Sequence, residues 1–270
     1  MTLMRTPRDG AEAVMASTPS SVAKSATAVS IDRPMSAMGL TFRNGLGLAA
    51  GIDRTGRGLL SLSATGAGHV EVGTLTEAHG IGIDRASLPA GFRVGANFAS
   101  PRMGLDDEVV ADYVALLRAL WSQADYLVAN LSAPFAGRGG DSPGVERLVE
   151  RLCEAGEVLS RETGSSTPLL VKAEAGANGS PLPRAISCAS ACGLSGIVLV
   201  TPCAGRLRAC CRRLRETPVI SVGGIVTRED AAARLAAGAS LVQIHTAFAA
   251  DGGSAVLRLL DSEVARGRYN

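Results

Sequence analysis

Short apolar runs alternate with amphipathic stretches along most of this 270-residue chain. From about Pro34 onward eight runs read as strands: Gly45–Ala50, His69–Thr76, Arg93–Phe98, Asp125–Ser132, Pro168–Glu174, Gly196–Thr201, Pro218–Gly223 and Leu241–Phe248. Most are near-continuous in apolar residues, the pattern of parallel strands covered by helices. Helix signals fill several gaps between them. Ser142 and Pro143 supply an N-cap and an N1 proline, followed by Val145, Leu148, Val149, Leu152 and Leu159 at helical spacing. Thr227 with Asp230 approximates a capping box, Gly238 suits the C′ position of that helix, and Asp106–Trp121 reads as another helix. Eight strands, each usually followed by a helix, predict an α/β fold of the (β/α)8 TIM-barrel type, one domain over residues 34–270. The connection Glu77–Gly91 shows no helix, and a doubly wound open sheet is the competing topology. Residues 1–33 are rich in Ser, Ala and Thr with no apolar segment, which predicts a flexible leader; a transit peptide fits the same composition.

In a barrel of this kind, chemistry gathers at the C-terminal ends of the strands. Those ends carry Ala50, Gly51 and Arg54, then Thr74, Asn97, Asn130, Lys172, Gly223, Gly224, His245 and Thr246. Small, amide and cationic groups therefore share one rim, and the glycines with the helix start after Thr227 suit a phosphate. Each has a plainer explanation. Asn97 and Asn130 fit ordinary loop amides, His245 a hydrogen-bonded core residue, and paired glycines recur after strands in many α/β proteins.

Composition sharpens one of these positions. Apolar residues at 46% and charged residues at 19% describe a globular chain. A net charge of +2 and 3% aromatics give no nucleic-acid surface. Of 27 basic residues only Lys24 and Lys172 are lysine. Lys172 follows Leu169, Leu170 and Val171, where an unpaired ammonium carries a large desolvation cost. It needs an anion or an electron-rich ligand; a salt bridge to Glu174 or Asp53 is the structural alternative. The six cysteines form no CxxC pair and no zinc-ligand spacing, so they read as reduced cytoplasmic thiols, mostly small core hydrophobes, with no metal site. No uncharged run reaches the ~20 residues of a membrane span.

The ordered rim residues resemble a known family. Met38-Gly-Leu-Thr-Phe-Arg-Asn44 and Gly47-Leu-Ala-Ala-Gly-Ile-Asp-Arg54 look like the opening of dihydroorotate dehydrogenase, especially its membrane-associated class. The likeness continues through Val70-Glu-Val-Gly-Thr-Leu-Thr76, Asn130-Leu-Ser-Ala-Pro134, Val171-Lys172, Val222-Gly-Gly-Ile225 and Gly238-Ala-Ser-Leu-Val-Gln-Ile244. It runs in order from about residue 35 to 250. The resemblance implies a (β/α)8 barrel holding FMN and oxidising dihydroorotate, a small-molecule substrate, to orotate in pyrimidine biosynthesis. It implies that Ala50 and Gly51 line the flavin, that Thr74, Asn97 and Asn130 bond its ring or ribityl chain, that Lys172 faces its N1–C2 oxygen edge, and that Gly223, Gly224 and Thr246 hold the phosphate.

The departures fall on the substrate side. The family's base, a serine or cysteine before the motif proline, is Ala133 here, and the asparagine after that proline is Phe135. The family's substrate-binding segment between strands two and three has no counterpart. A lysine that contacts flavin and substrate is Arg54, which leaves Arg54 as the substrate-side cation. The Thr-Asn-Thr ending strand six is Val200-Thr201-Pro202, and the loop Cys203–Glu216 is short. His245 stands on the rim as a replacement base. Three functions follow: an FMN oxidoreductase of this family with a substrate other than dihydroorotate, a catalytically inactive barrel serving as a binding partner, or a dihydroorotate dehydrogenase with an atypical site. The first is the leading expectation. The leader lacks the apolar helical pair through which the membrane-associated class engages membranes, and the sequence sets no oligomeric state.

Overall fold

The computed structural model describes residues 31–77, 87–132 and 141–260. Most of the leader, Ala133, Phe135 and the greater part of the Glu77–Gly91 connection lie outside these residues. Packing begins at Ile31, which is buried, while Asp32 pairs with Arg228.

Two short strands come first, β1 (Met35–Ala37) and β2 (Leu40–Phe42), an antiparallel hairpin with Met35 opposite Phe42. Its turn residues Met38 and Gly39 both have positive φ, 55° and 74°, as two-residue hairpin turns require. The barrel strands follow: β3 (Leu46–Asp53), β4 (His69–Leu75), β5 (Arg93–Phe98), β6 (Tyr126–Asn130), β7 (Leu169–Glu174), β8 (Gly196–Val200), β9 (Val219–Val222) and β10 (Leu241–Ile244). Each pairs in parallel with the next, and β10 pairs with β3, so the sheet closes. This is the predicted TIM barrel, not the open sheet.

The helices are α1 (Leu59–Ala64), α2 (Asp107–Leu120), α3 (Val145–Thr163), α4 (Arg184–Ala191), α5 (Ala204–Leu214), α6 (Arg228–Ala236), α7 (Thr246–Asp251) and α8 (Gly253–Leu259). Local chemistry sets their ends. The Asp106 carboxylate accepts from Val109 N at the start of α2, and Thr227 with Asp230 completes a capping box on α6. Two expectations are corrected. α3 starts two residues after Pro143, because Gly144 takes a left-handed conformation (φ 87°) in the N-cap position. The last strand stops at Ile244; residues from Thr246 to Asp251, rich in alanine, form α7 instead of extending to Phe248.

Two apolar clusters result. One lies between barrel and helices. The other fills the barrel with Phe42, Ala49, Tyr126, Val128, Leu170, Val198, Ile220 and Leu241. Here two glycines are required by close approach: a Cβ on Gly47 would stand 2.1 Å from the His69 ring, and one on Gly95 2.3 Å from the Tyr126 ring. Those rings meet Phe42 edge-on at centroid distances of 5.3 and 6.3 Å, so the hairpin plugs the N-terminal end. Of the cysteines, Cys210 is buried and the other five are partly exposed, all six free thiols. Cys153, Cys188, Cys192 and Cys211 pack against the edge of the core and Cys203 caps α5, so only Cys210 is a fully buried core residue.

Candidate functional site

Side chains on one strand alternate between barrel interior and helix layer. Leu170 faces the interior, so Lys172, two residues on, does as well, one layer nearer the C-terminal mouth. By the same rule Asn97 follows Gly95, and Asn130 follows Val128. Asn130 and Lys172 are direct partners in the β6–β7 register.

A continuous hydrogen-bond chain runs from the barrel centre to this mouth. Gln243 Nε2 donates to Glu71 Oε1 (2.6 Å), and Asn97 Nδ2 donates to Glu71 Oε2 (3.0 Å). The Thr74 hydroxyl donates to Asn97 Oδ1 (2.9 Å) and accepts from Asn130 Nδ2 (3.1 Å). Asn130 Oδ1 then accepts from Ser132 N (3.1 Å) and Ser132 Oγ (2.6 Å). Tyr113 Oη anchors the Asn130 carbonyl at 2.6 Å. Glu71, Asn97 and Gln243 are fully buried, and every link fixes the rotamer of the next. On a strand running through to Ser132, as the apolar pattern predicts, the Ser132 side chain would point to the face opposite its neighbour at 133. Instead β6 ends at Asn130 and the Ser132 hydroxyl folds back onto its amide.

Lys172 is 9% exposed, and its ammonium has no hydrogen bond or ion pair with any described residue. The salt bridge to Glu174 or Asp53 does not form. Asp53 is occupied by the backbone N–H groups of Thr55, Gly56 and Gly58, and Glu174 is exposed at the strand end. A nearly buried cation without an anion is an incomplete site.

The remaining rim residues surround this pair. Ala50 is partly buried and Gly51 exposed, and a Cβ on Gly51 would stand 3.0 Å from His245 Nε2, so the imidazole covers that glycine. His245 is exposed ahead of α7, with Thr246 beside it as the first helical residue. Gly223 and Gly224 have positive φ (106° and 67°) between β9 and α6. Arg54 is exposed beyond β3 and makes no contact with the network.

Three contributors escaped the sequence reading: Glu71, Arg206 and Arg234. Arg234 is 3% exposed and donates to the carbonyls of Thr201 (2.8 Å), Pro202 (2.7 Å) and Gly223 (3.0 Å). Arg206, equally buried, donates to the carbonyls of Ala175, Ser180 (2.6 Å) and Pro181 (2.8 Å). The two guanidiniums thus tie down the loops that leave β7, β8 and β9. Burial lowers the pKa of Arg234 from its ordinary value. The signal was present: each arginine falls on the apolar stripe of its helix, Arg206 with Leu207, Cys210 and Leu214, and Arg234 with Ala231 and Leu235. Cys203 caps α5, accepting from Arg206 N, and that backbone contact holds its thiol pKa below the usual value.

Among the described residues no group of His, Cys, Asp and Glu could hold a metal, and no helix is long and apolar enough to cross a membrane.

The family model described as dihydroorotate dehydrogenase matches residues 183–264. Relatives named dihydroorotate dehydrogenase (quinone) cover most of the chain. The protein of Leifsonia xyli is 32% identical, over 78% of this chain and 79% of its own. That of Clavibacter michiganensis is 30% identical, over 84% and 83%. Among solved structures, Eimeria tenella DHODH in complex with ferulenol superposes with a TM-score of 0.69 at 19% identity, covering 90% of this chain and 87% of the other. The ligand-free form gives 0.70 at 21% identity, covering 86% and 87%. At those identities the structural likeness speaks for the fold.

Proposed function

The chain belongs to the dihydroorotate dehydrogenase family, and from that membership we propose that it is an FMN-dependent oxidoreductase whose substrate is dihydroorotate. The relatives' shared name supports dihydroorotate over the different substrate that Ala133 suggested. The observation that carries the cofactor assignment is Lys172, a nearly buried cation without a partner among the described residues, beside the ordered amides of the mouth.

The residues present fit FMN. Its ring edge carries electron-rich oxygens, and an ammonium held in a low-dielectric pocket stabilises negative charge there. Thr74 and Asn130, fixed by Asn97 and Glu71, offer oriented polar groups at the same level. Asn97 is fully buried behind them, so its part is to set the Thr74 hydroxyl. Ala50 and Gly51 leave room for a flat ring. Gly223, Gly224 and Thr246, next to the capped start of α6, suit the phosphate, and Arg234 holds their loop. When bound, FMN accepts a hydride from the substrate.

The proton must go to a side chain of this protein, and Ala133 has none to offer. Of the two described imidazoles, His69 is buried at the plugged end of the barrel, whereas His245 is exposed at the mouth over Gly51; His79 lies outside the described residues. His245 is therefore assigned as the base and Arg54 as the substrate-side cation. Ala133 and Phe135 favour a second reading, in which the same flavin chemistry serves another small substrate. The inactive-barrel alternative has no use for an unpaired Lys172.

The visible spectrum of the purified protein, followed by anaerobic mixing with dihydroorotate, decides between them. A yellow protein bleached by dihydroorotate is expected. A yellow protein left unbleached transfers the assignment to the second substrate, and a colourless protein that takes up no added FMN rejects both.

A further inference from the structure

We propose that the outer face of the barrel between α5 and α6 holds a second binding site, for a small anion carrying a diphosphate group. An open depression of about 370 Å³ lies there, lined by Arg208, Cys211, Arg212 and Arg215 on one side and by Ala236, Ala237 and Gly238 on the other. Pockets of this size accept small metabolites.

The sequence spacing builds the basic wall. Arg208, Cys211 and Arg212 stand at i, i+3 and i+4 on α5, which brings them onto one face, and Arg215, just past the end of the helix with a left-handed backbone (φ 50°), joins the same wall. The opposite wall is made of the smallest residues in the chain. Gly238 brings its backbone close, since a Cβ there would stand 2.9 Å from Cys211 Cβ. Any side chain larger than alanine on that wall would fill the space.

Charge is what distinguishes this cleft. Several exposed arginines elsewhere find carboxylates, Arg102 with Asp112, Arg151 with Glu154, Arg184 with Glu146 and Arg258 with Asp251, whereas here three without one share a single concave face. Arg208, Arg212 and Arg215 have no such partner among the described residues. Glu216 follows the cluster but lies outside the lining, and Asp230 at the other end of α6 is committed to its capping box. Burial pushes the Cys211 thiol up to about 11, so it adds no negative charge near neutral pH. The negative end of the α5 dipole accounts for a cation in the last turn. It does not account for Arg208, more than a turn earlier, or for the concavity.

Guanidinium forks take up carboxylate or phosphate oxygens in pairs, and three of them on one face suit an anion with more oxygens and charge than a single carboxylate has. Three unpaired forks call for an anion of two or more charges. The alanine and glycine wall offers little for an acyl chain to bury. The ligand chemistry is therefore a diphosphate, free or at the end of a small metabolite. This inference does not depend on what the barrel mouth binds.

Calorimetry with inorganic pyrophosphate, on the full chain reconstituted with FMN and cleared of excess, tests it. One saturable site is expected, weakened by about tenfold or more in an Arg208→Gln/Arg212→Gln double variant. Arg258→Gln, whose arginine already has an acidic partner, should bind as the parent does. Absence of binding overturns the proposal, and so does binding that survives the double variant. Should the double variant not fold, the single exposed change Arg208→Gln carries the same comparison. Sedimentation with phosphatidylserine vesicles separates the sources: capture that is lost in the double variant but that pyrophosphate fails to compete assigns the cleft to a membrane surface and overturns the small-anion site.

Discussion

Lys172 concentrates the chemistry of this protein into one side chain. It was legible in the sequence as the lysine within an apolar run, but only the folded barrel shows that neither Glu174 nor Asp53 neutralises it. An unsatisfied cation destabilises the empty protein and favours the filled one. Lys172→Met should therefore raise the unfolding free energy of the FMN-free protein by roughly 1 kcal/mol or more. It should also weaken FMN retention by about tenfold or more, the worth of one charged hydrogen bond. Chemical denaturation of the stripped protein and the flavin-to-protein absorbance ratio measure the two. Opposite signs are expected; a loss in both would make Lys172 a purely structural residue.

His69 presents the reverse case. Its ring is fully buried against Phe42 and Tyr126, neither nitrogen finds a hydrogen-bond partner among the described residues, and burial lowers its pKa to about 3. The native state thus holds a neutral imidazole, while the unfolded chain binds a proton below its ordinary value near 6.5. Stability from this group is complete above that value and falls as the pH drops towards 3, by about 1.4 kcal/mol per pH unit. Unfolding free energies measured from pH 7.5 down to 4.5 should be level above about 6.5 and show this slope below it, and His69→Gln should flatten the slope. An unchanged slope in the variant would assign the acid sensitivity to other groups.

At the scale of elements, the strands and helix caps followed from local rules, whereas the loops required long-range partners. The capping box of α6 and the Asp106 cap of α2 were readable because each closes within three residues. The hairpin of β1 and β2 was not, since two three-residue strands give too short a pattern to register. The braces supplied by Arg206 and Arg234 were missed for another reason: an arginine on an apolar stripe tells of burial, but its acceptors lie 11 to 33 residues away in other loops. Arg234→Met keeps much of the volume and removes the donors. It should cost roughly 3 kcal/mol in urea unfolding, because the carbonyls of Thr201, Pro202 and Gly223 lose a charged partner. FMN retention should fall with it, if that loop holds the phosphate. A stable variant that still releases FMN would place the effect in the loop geometry alone.

For the molecule as a whole, the barrel has one plugged end and one open end, and the difference lies in what faces inward. Phe42 seals the N-terminal end by packing between His69 and Tyr126, which occupy the room left by Gly47 and Gly95. Phe42→Ala should lower stability by about 3–5 kcal/mol, the usual cost of emptying a buried aromatic site. Thermal unfolding at constant pH measures it, and the far-ultraviolet circular dichroism should stay that of a barrel. A change under about 1 kcal/mol would mean that the hairpin lies on the barrel without sealing it.

The sequence by itself determined the kinds of element, their order, several of their ends and the family, because periodicity, capping and motif order are local or linear properties. It also placed Ala50, Gly51, Thr74, Asn97, Asn130, Lys172, Gly223, Gly224, His245 and Thr246 at strand ends. Only the tertiary structure decided closure through β10 and β3, the partnership of Gln243 with Glu71 across 172 positions, and the absence of a partner for the Lys172 ammonium among the described residues. The physical reason is that such adjacency depends on register and on which face of each strand turns inward. A one-residue shift in either would leave the pattern of apolar residues readable and scatter the polar chain from Gln243 to Ser132.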